Sequence, residues 1–427
     1  MAPMPPPRGW ARTVAPAFLG VVTWFPLLDA LGAIDAGAAV GDRWLSCLLA
    51  LGACYALVYL PLAGLGLRTR GRLPVVAASA LGARGAEWIA GVLHGSFAAL
   101  WGSVAIWYSV RMTLDGLSAW GLLGHWDARP EVMGVTLESP LVLASLAWWA
   151  FIIIAANGLN LMGVIAALMR VYAPFAGVLV VAAAAVAWWN GEAIGGGSAA
   201  RAGGFEPRSF QFVFAAFAFA GVMAVEWGAA TRDRRDARLG GWTAILAAGA
   251  VTTLAAIVLG SLGPMDTTWR RAADSADRWM IGALVLLLGL ASLAPACYAS
   301  SLFASRFRAH WPGMGKWKGV GLSYLLFVVP GAVGFAGDVE TIAGISGALF
   351  APLAGVLAVE ALRRDQGEIR PGWRIPGIAA WGAGVVVGLA PVVAPGLGRL
   401  QPAALMGWGV AAAVYAVAAR PWAARPS

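Results

Sequence analysis

The sequence predicts an all-α polytopic membrane protein with about twelve transmembrane helices. Three observations predict this fold class: 60% of the 427 residues are hydrophobic, only 12% are charged, and the mean hydropathy is +0.75. Soluble domains carry about 25% charged residues, so this chain lacks the polar residues needed to cover a surface that faces water. Its hydrophobic residues also form runs of about 20, the length that a helix needs to cross a bilayer.

Twelve apolar segments separated by short loops make up most of the chain. None of the loops is long enough to form a separate soluble domain, so we expect a single integral membrane domain over residues 1–427. The predicted spans lie near residues 14–34, 44–66, 87–110, 140–157, 171–189, 209–229, 241–262, 279–303, 319–336, 339–362, 376–394 and 402–419.

The basic residues predict how the chain is oriented in the membrane. Lys and Arg (30) outnumber Asp and Glu (21), and a net charge of +9 can indicate a nucleic-acid partner. Here the basic residues occupy short loops. If the N-terminus is cytoplasmic, 20 of the 30 fall on the inner side, as the positive-inside rule requires. We therefore predict a multi-pass protein of the cell membrane (inner or plasma membrane) with both termini cytoplasmic and no nucleic-acid partner.

The first and sixth spans contain residues that weaken a helix within the bilayer. Gly20 and Pro26 interrupt the first span, and Asp29 follows Pro26 within one turn. Gly221 lies inside the sixth span, and Glu226 lies near its inner end. Backbone groups freed by such breaks are tolerated only inside protein or beside a watery cavity. Broken helices at corresponding positions of two halves indicate a transporter's substrate site, although a simple proline kink with Asp29 near the outer interface is an alternative.

The third span carries a histidine and a tryptophan on one helix face. His94 and Trp101 are seven residues apart, which is two turns of an α-helix. A histidine within the membrane either hydrogen-bonds a neighbouring helix or relays protons, because imidazole titrates near neutral pH. Both interpretations of His94 stay open from the sequence.

No arrangement of residues indicates a metal, a cofactor or an enzyme. The three histidines, His94, His125 and His310, fall on different spans or loops, and the three cysteines show no metal-ligand spacing. A membrane-embedded enzyme needs a cluster of His, Asp, Glu or Cys near one membrane face, and the sequence contains none. We therefore predict that the protein is not an enzyme and that it holds neither a metal ion nor a cofactor.

Five stretches, in the same order along most of the chain, resemble one family of membrane transporters. LGARGAEWIAGVLHG (81–95) resembles the FGVRG segment that leads into that family's third helix, and WGSVAIW (101–107) resembles its W-x-G-x-Q-x-W block. EWGAATRDRRDARLGG (226–241) resembles the end of its sixth helix and the basic loop that follows. LASLAPACY (290–298) resembles the N-L-x-x-P-A block of helix eight, and ISGALFAPLAGVLAVEALRR (345–364) resembles helix ten. The family is the nucleobase:cation symporter-1 family of cytosine permeases.

This resemblance implies a LeuT-type fold, in which helices one to five and six to ten form inverted repeats. The repeats lie at about 14–189 and 209–362, and two peripheral helices follow at 376–420. The resemblance also implies a permease, a secondary active transporter that carries a planar heterocycle such as cytosine or a purine by alternating access, driven by a cation gradient. The implied partners are a small-molecule substrate and the lipid bilayer, and the sequence does not indicate the oligomeric state.

The resemblance also assigns roles to individual residues. Trp101 matches the family's stacking tryptophan, and Phe217 matches an aromatic residue of helix six. Glu226 and Glu360 match the acids that close helices six and ten. The predicted substrate site comprises Pro26, Trp101, Ala105, Phe217, Gly221 and Ala291. The candidate ion-coupling groups are Asp29, His94 and Glu226.

The sequence departs from the family at positions that contact substrate and sodium. Ala105 and Ala291 stand where the family has Gln and Asn, whose amides hydrogen-bond the heterocycle. Val285 and Leu286 stand where hydroxyl groups help to ligate sodium, so proton-coupled or uncoupled transport is favoured over sodium coupling. The missing amides leave two alternatives open: a carrier of the same fold for an amino acid, an amine or a vitamin, and a sensor or scaffold that has lost transport.

Overall fold

The protein is seen here in a computed structural model, which describes residues 25–34, 38–124, 129–132, 135–159, 204–261, 278–363, 371–397 and 401–419, together with isolated positions between them. The described residues are mostly helical, and a short antiparallel ladder of β1 (Glu131–Val132) and β2 (Val135–Thr136) precedes α4. The helices are α1 (Phe25–Ala33), α2 (Val40–Thr69), α3 (Leu73–Ala119), α4 (Pro140–Gly158), α5 (Pro207–Gly221), α6 (Ala224–Ala230), α7 (Arg234–Gly260), α8 (Arg278–Ala291), α9 (Leu293–His310), α10 (Lys316–Ala332), α11 (Val339–Leu362), α12 (Ile375–Val393) and α13 (Ala403–Ala418).

Apolar helices long enough to cross a bilayer make this chain a multi-pass membrane protein. Within the described residues seven helices meet that condition, or eight if the bent pair α5 and α6 forms one span. The predicted spans that fall on described residues coincide with helices, and α11 has the predicted bounds. More than half of the fifth predicted span, 171–189, lies outside the described residues, and so does the whole first half of the first span. The total of twelve spans and the division into two repeats therefore stay predictions.

Two predicted spans differ from the helices of the structure. The third span belongs to α3, which has 47 residues and is interrupted near its start by Gly82 at φ 78°. Glycine adopts this conformation without steric cost, and Gly82 also packs directly on the backbone of Gly372. The eighth predicted span is divided at Ser292 into α8 and α9. Hydrophobicity does not reveal either break, because apolar residues continue across both.

The sixth span is bent by 50° between α5 and α6. Two glycines bring α6 into backbone contact with α2: a Cβ atom at Gly66 would overlap the carbonyl group of Val225, and one at Gly228 would overlap that of Ala63. Membrane helices associate through such small residues, because lipid provides no hydrophobic force between them. Contact with α2 therefore holds α6 away from the axis of α5.

The two helices predicted as peripheral, α12 and α13, pack closely on α11. A Cβ atom at Gly355 of α11 would overlap the carbonyl oxygen of Trp408 in α13, and Gly384 of α12 approaches the backbone of Gly407 in the same way. The indole of Trp381 in α12 donates a hydrogen bond to a backbone carbonyl of α11 at 2.9 Å. These contacts attach both helices to the bundle through α11.

Arginines cap helix ends at one end of the bundle. Arg68 donates to a carbonyl in the last turn of α11, Arg70 to one in the last turn of α6, and Arg363 to one just after α13. The last carbonyls of a helix lack hydrogen-bond donors within the helix and lie at the negative end of its dipole. A guanidinium group there provides both a hydrogen-bond donor and a positive charge. These arginines are among those predicted on the cytoplasmic side.

Replacing Gly66 by Ala is expected to lower the free energy of unfolding by about 1–3 kcal/mol, the usual cost of overpacking, since the new methyl group would overlap the backbone of α6. Gly64 lies two residues away in the same helix, and open space surrounds its Cβ position. Gly64→Ala is therefore the matched control and should leave stability unchanged. Unfolding of the purified protein in detergent measures both, and equal effects would contradict the backbone contact between α2 and α6.

Candidate functional site

Five aromatic side chains meet where α3, α5 and α11 come together. They are His94, Phe97 and Trp101 of α3, Phe219 of α5 and Phe350 of α11, and we call them the ring cluster. His94 stacks on Phe219 with ring centroids 4.9 Å apart, and Phe350 meets both rings edge to face at 5.3 Å. Trp101 and Phe97 extend the cluster through Phe219 (6.2 Å) and Phe350 (5.4 Å). These separations lie in the range of favourable aromatic pairs.

Helix periodicity and the bend together produce this cluster. His94, Phe97 and Trp101 follow each other at spacings of three and four residues, which places them on one face of α3. Phe219 lies in the last turn of α5, directly before the bend, and Phe350 lies two residues before Pro352 in α11. Three helices that are far apart in sequence therefore each contribute rings to one site.

Trp101 is held in place by a polar contact inside the bundle. Its indole nitrogen donates a hydrogen bond to Ser346 Oγ of α11 at 3.1 Å, and only 6% of the residue is exposed. The side chain is therefore directed into the protein rather than toward lipid. Ala105, one turn further along α3, is fully buried and offers no side-chain group for hydrogen bonding.

His94 is fully buried, and neither of its ring nitrogens makes a hydrogen bond to a described residue. The backbone of Phe219 is close to the imidazole without reaching hydrogen-bond geometry, and the charge of Arg306 is also nearby. A buried polar group without a partner costs about 1–3 kcal/mol. The interpretation of His94 as a residue that hydrogen-bonds a neighbouring helix has one candidate partner among the described residues, the backbone of Phe219 in α5.

The aromatic residue that α5 contributes is Phe219, whereas the sequence pointed to Phe217. Phe217 is buried, but no ring contact joins it to another described aromatic residue. Positions two apart on a helix point about 200° away from each other, so both cannot face α3. The family comparison missed Phe219 because the bend after Gly221 decides which face of α5 turns toward the cluster.

The remaining predicted site residues lie on α1, α5 and α8. Pro26 is buried and belongs to α1. Gly221 packs on α2, where an added Cβ would lie 2.5 Å from Cγ1 of Val58. Ala291 is the last residue of α8. Asp29 accepts a hydrogen bond from the Tyr108 hydroxyl of α3 at 2.9 Å.

The three candidate ion-coupling groups lie at three levels along α3. Asp29 contacts Tyr108, which is two turns, or about 10 Å, from Trp101. His94 lies two turns from Trp101 in the opposite direction. Glu226 accepts a hydrogen bond from the backbone N–H of Leu73, at the start of α3, at 3.2 Å. Their roles in ion coupling stay predictions.

Glu226 and Arg306 form an ion pair that the family comparison did not reveal. Arg306 of α9 donates to Glu226 Oε1 in α6, and the same oxygen accepts the Leu73 N–H, so the pair connects α6, α9 and α3. The side chains are 6% exposed for Arg306 and 21% for Glu226. Tyr298, a half-exposed residue two turns before Arg306 on α9, interacts electrostatically with both charges. Tyr298 is a polar residue near the site that neither composition nor the family motifs single out.

Glu360, the second acid assigned from the family, connects helices far from the ring cluster. Its Oε2 atom accepts a hydrogen bond from the Tyr415 hydroxyl of α13 at 2.8 Å and lies 3.7 Å from the Arg363 guanidinium. Only 1% of Glu360 is exposed. It therefore attaches α13 to the end of α11.

An open cleft of about 240 Å³ lies away from the ring cluster, between α5, α11, α12 and α13. Its polar wall includes Arg208, Gln211, Glu340 and Thr341. Arg208 and Glu340 form an ion pair at 2.9 Å with both side chains about half exposed. This cleft contains none of the predicted site residues, and its charges satisfy each other.

Replacing Arg306 by Met is expected to destabilise the protein by about 3 kcal/mol, because Glu226 would keep its charge in a largely buried place without its partner. The exposed Arg208–Glu340 pair is the matched control, and Arg208→Gln should cost less than about 1 kcal/mol. The double variant Arg306→Met with Glu226→Gln should recover part of the loss. Chemical unfolding in detergent measures all three, and an Arg306→Met effect no larger than that of Arg208→Gln would contradict the buried pair.

Comparisons with solved structures agree on the fold. No protein-family model matches the chain, and no curated protein matches it by sequence. The inward-facing conformation of Mhp1 matches with a TM-score of 0.71 at 14% identity, covering 99% of this chain and 94% of that chain. A closed conformation of Mhp1 with bromovinylhydantoin bound gives 0.68 at 14% identity, with 99% and 96% covered. MhsT in complex with L-phenylalanine gives 0.58 at 14% identity, with 98% and 99% covered.

Mhp1 is named as a nucleobase-cation-symport-1 family transporter, and at 14% identity the match shows the fold, so the absence of enzyme activity stays a prediction. The identity is too low to carry substrate or ion specificity from one protein to another. The match does extend over nearly the whole of each chain. The chain therefore has the LeuT-type fold of Mhp1, a transporter of the nucleobase-cation-symport-1 family, which is the family that its sequence resembles.

Proposed function

We propose that this protein is a secondary active transporter that carries a nucleobase-like planar heterocycle across the cell membrane by alternating access. The observation that carries the proposal is the ring cluster, with Trp101 of α3 facing Phe219 beside the bend between α5 and α6. A planar ligand gains most of its binding energy from burial and stacking between aromatic faces. Polar groups beside a helix break then orient it.

The ligands named with the similar structures support this type of site. One of the Mhp1 structures holds bromovinylhydantoin, and MhsT holds L-phenylalanine. A carrier of another solute, such as an amino acid, an amine or a vitamin, is the second candidate, because Ala105 and Ala291 lack the amides that the family uses for heterocycles. The fold is compatible with both classes, and binding measurements separate them.

The proposed transport cycle moves two groups of helices against each other around the ring cluster. In LeuT-type carriers helices one, two, six and seven rock against helices three, four, eight and nine. Glu226 belongs to the first group and Arg306 to the second, so their ion pair has to break when the site opens on that side. The arginines that cap helix ends at the same end of the bundle favour a cytoplasmic location for it.

The proposed coupling ion is the proton rather than sodium. Asp29, His94 and Glu226 are the candidate titrating groups, and Val285 and Leu286 offer no oxygen at the family's sodium-binding positions. Ser292, at the break between α8 and α9, has a buried hydroxyl without a hydrogen-bond partner among the described residues. That hydroxyl is the nearest oxygen in sequence to those positions, so the coupling ion needs a direct test.

A thermal-shift screen of the purified protein tests the substrate class and the coupling ion together. It covers nucleobases, hydantoins, allantoin, B-vitamin heterocycles and amino acids at two pH values, with and without sodium. A compound that binds only the folded protein raises the melting temperature. We expect a planar heterocycle to do so, with a shift that depends on pH and not on sodium. Stabilisation by amino acids alone would favour the second candidate, and no stabilisation by any compound would favour a sensor or scaffold.

Replacing Trp101 by Ala is expected to reduce binding and saturable uptake of a stabilising heterocycle at least tenfold, since it removes one stacking face. Trp101→Phe loses the hydrogen bond to Ser346 but retains a ring, so it should lose less than Trp101→Ala. Trp148, which is 62% exposed on α4, is the matched control, and Trp148→Ala should transport normally. Uptake into proteoliposomes and circular dichroism of each variant are measured together. Normal uptake by a folded Trp101→Ala protein would contradict the proposed stacking role of Trp101.

A further inference from the structure

The polar group in the ring cluster is a histidine that the described structure leaves without a partner. His94 is 0% exposed, and both ring nitrogens lack hydrogen bonds to described residues. Buried polar groups in native proteins nearly always have partners, and each exception calls for an explanation. Phe219 and Phe350 provide aromatic surface around the imidazole and no side-chain hydrogen-bonding group. A phenyl ring in its place would pack against both of these side chains without an unsatisfied nitrogen.

The position of His94 relates it directly to Trp101. Both residues lie on the same face of α3, and both contact the ring of Phe219. The planes of Trp101 and His94 lie within 30° and 28° of the plane of Phe219. A planar ligand between Trp101 and Phe219 needs a separation of about 7 Å, twice the contact distance of about 3.5 Å. The ring centroids are now 6.2 Å apart and the planes are tilted by 30°, so a stacked ligand requires Phe219 to move away from Trp101.

A ligand ring in that place would lie on the same face of Phe219 as His94. The edge of the ligand ring would then point toward the imidazole. Neutral imidazole carries one donor and one acceptor nitrogen, which complements the N–H and C=O groups along the edge of a nucleobase or hydantoin. At the two positions where the family has amides that bind this edge, this chain has Ala105 and Ala291. The hydroxyl of Ser346 is already engaged by Trp101.

We propose that His94 determines the substrate specificity of this transporter by hydrogen-bonding the polar edge of a planar heterocycle stacked between Trp101 and Phe219. This inference rests on the proposed function and adds to it the residue that recognises the substrate. Its chemical class is a flat ring with an N–H or C=O group on the edge that faces α3. His94 takes the role of the family amides that are missing at Ala105, on the same helix, and at Ala291, on α8.

Two variants of the full-length protein separate this role from a structural one. His94→Phe keeps an aromatic ring in the cluster and removes the hydrogen bond, whereas His94→Gln keeps hydrogen-bonding capacity. The probes are uracil, cytosine and hydantoin, each compared with its N-methylated derivatives. Affinity is measured by calorimetry, and the melting temperature is measured without any probe. The expected result is that His94→Phe melts no lower than the parent protein, because the buried nitrogens without partners are gone.

The expected affinity of His94→Phe for the bound probe is lower by roughly tenfold or more, the usual effect of an unpaired polar edge. His94→Phe should bind each unmethylated probe and its N-methylated derivative with similar affinity, whereas His94→Gln should still prefer one of the two. Unchanged affinity and unchanged discrimination in a folded His94→Phe protein would overturn the inference while leaving the proposed function in place. If the parent protein binds none of the three probes, this inference is overturned, whereas the proposed function is decided by the wider thermal-shift screen.

Discussion

The backbone contact between α2 and α6 is the constraint on which the site depends. Lipid provides no hydrophobic force between helices, so close approach at small residues provides the attraction instead. Gly66 and Gly228 let α6 lie directly on α2, and α6 then departs by 50° from the axis of α5. The bend places Phe219 at the end of α5, beside the rings of α3, and brings Glu226 within reach of Arg306. A single packing contact thus sets both the aromatic site and the ion pair beyond it.

The site that results is aromatic and nearly free of polar side chains. Trp101 is fixed by Ser346, Phe350 closes the cluster from α11, and His94 brings the imidazole nitrogens that lack partners among the described residues. Under the proposed function, such a site binds a flat ring through surface contact and discriminates through very few polar contacts. Charges lie on either side of it, with Asp29 bound to Tyr108 in one direction and Glu226 paired with Arg306 in the other. This separation suits a carrier in which binding and movement are controlled by different residues.

Much of the fold follows from the sequence, because a bilayer restricts what the chain can do. A run of about 20 apolar residues has to form a helix in lipid, and the helices of the described residues lie where the apolar runs predicted them. The breaks at Gly82 and Ser292 were not predicted, because hydropathy averages over both. The contribution of Phe219 to the ring cluster was not predicted, for a related reason. The rotation of α5 depends on the bend, and the bend depends on contacts with α2, far away in sequence.

The sequence by itself determined the membrane class, the positions of the helices in the described part of the chain and the placement of Trp101 and His94 on one face of α3. These properties are local, since they depend on hydrophobic runs and on a repeat of 3.6 residues per turn. Only the tertiary structure decided that Phe219 and Phe350 complete the cluster, that Arg306 pairs with Glu226 and that no described residue hydrogen-bonds His94. Those facts depend on which helices are in contact. Residues more than a hundred positions apart in sequence determine these contacts, because their size sets how closely the helix backbones can approach.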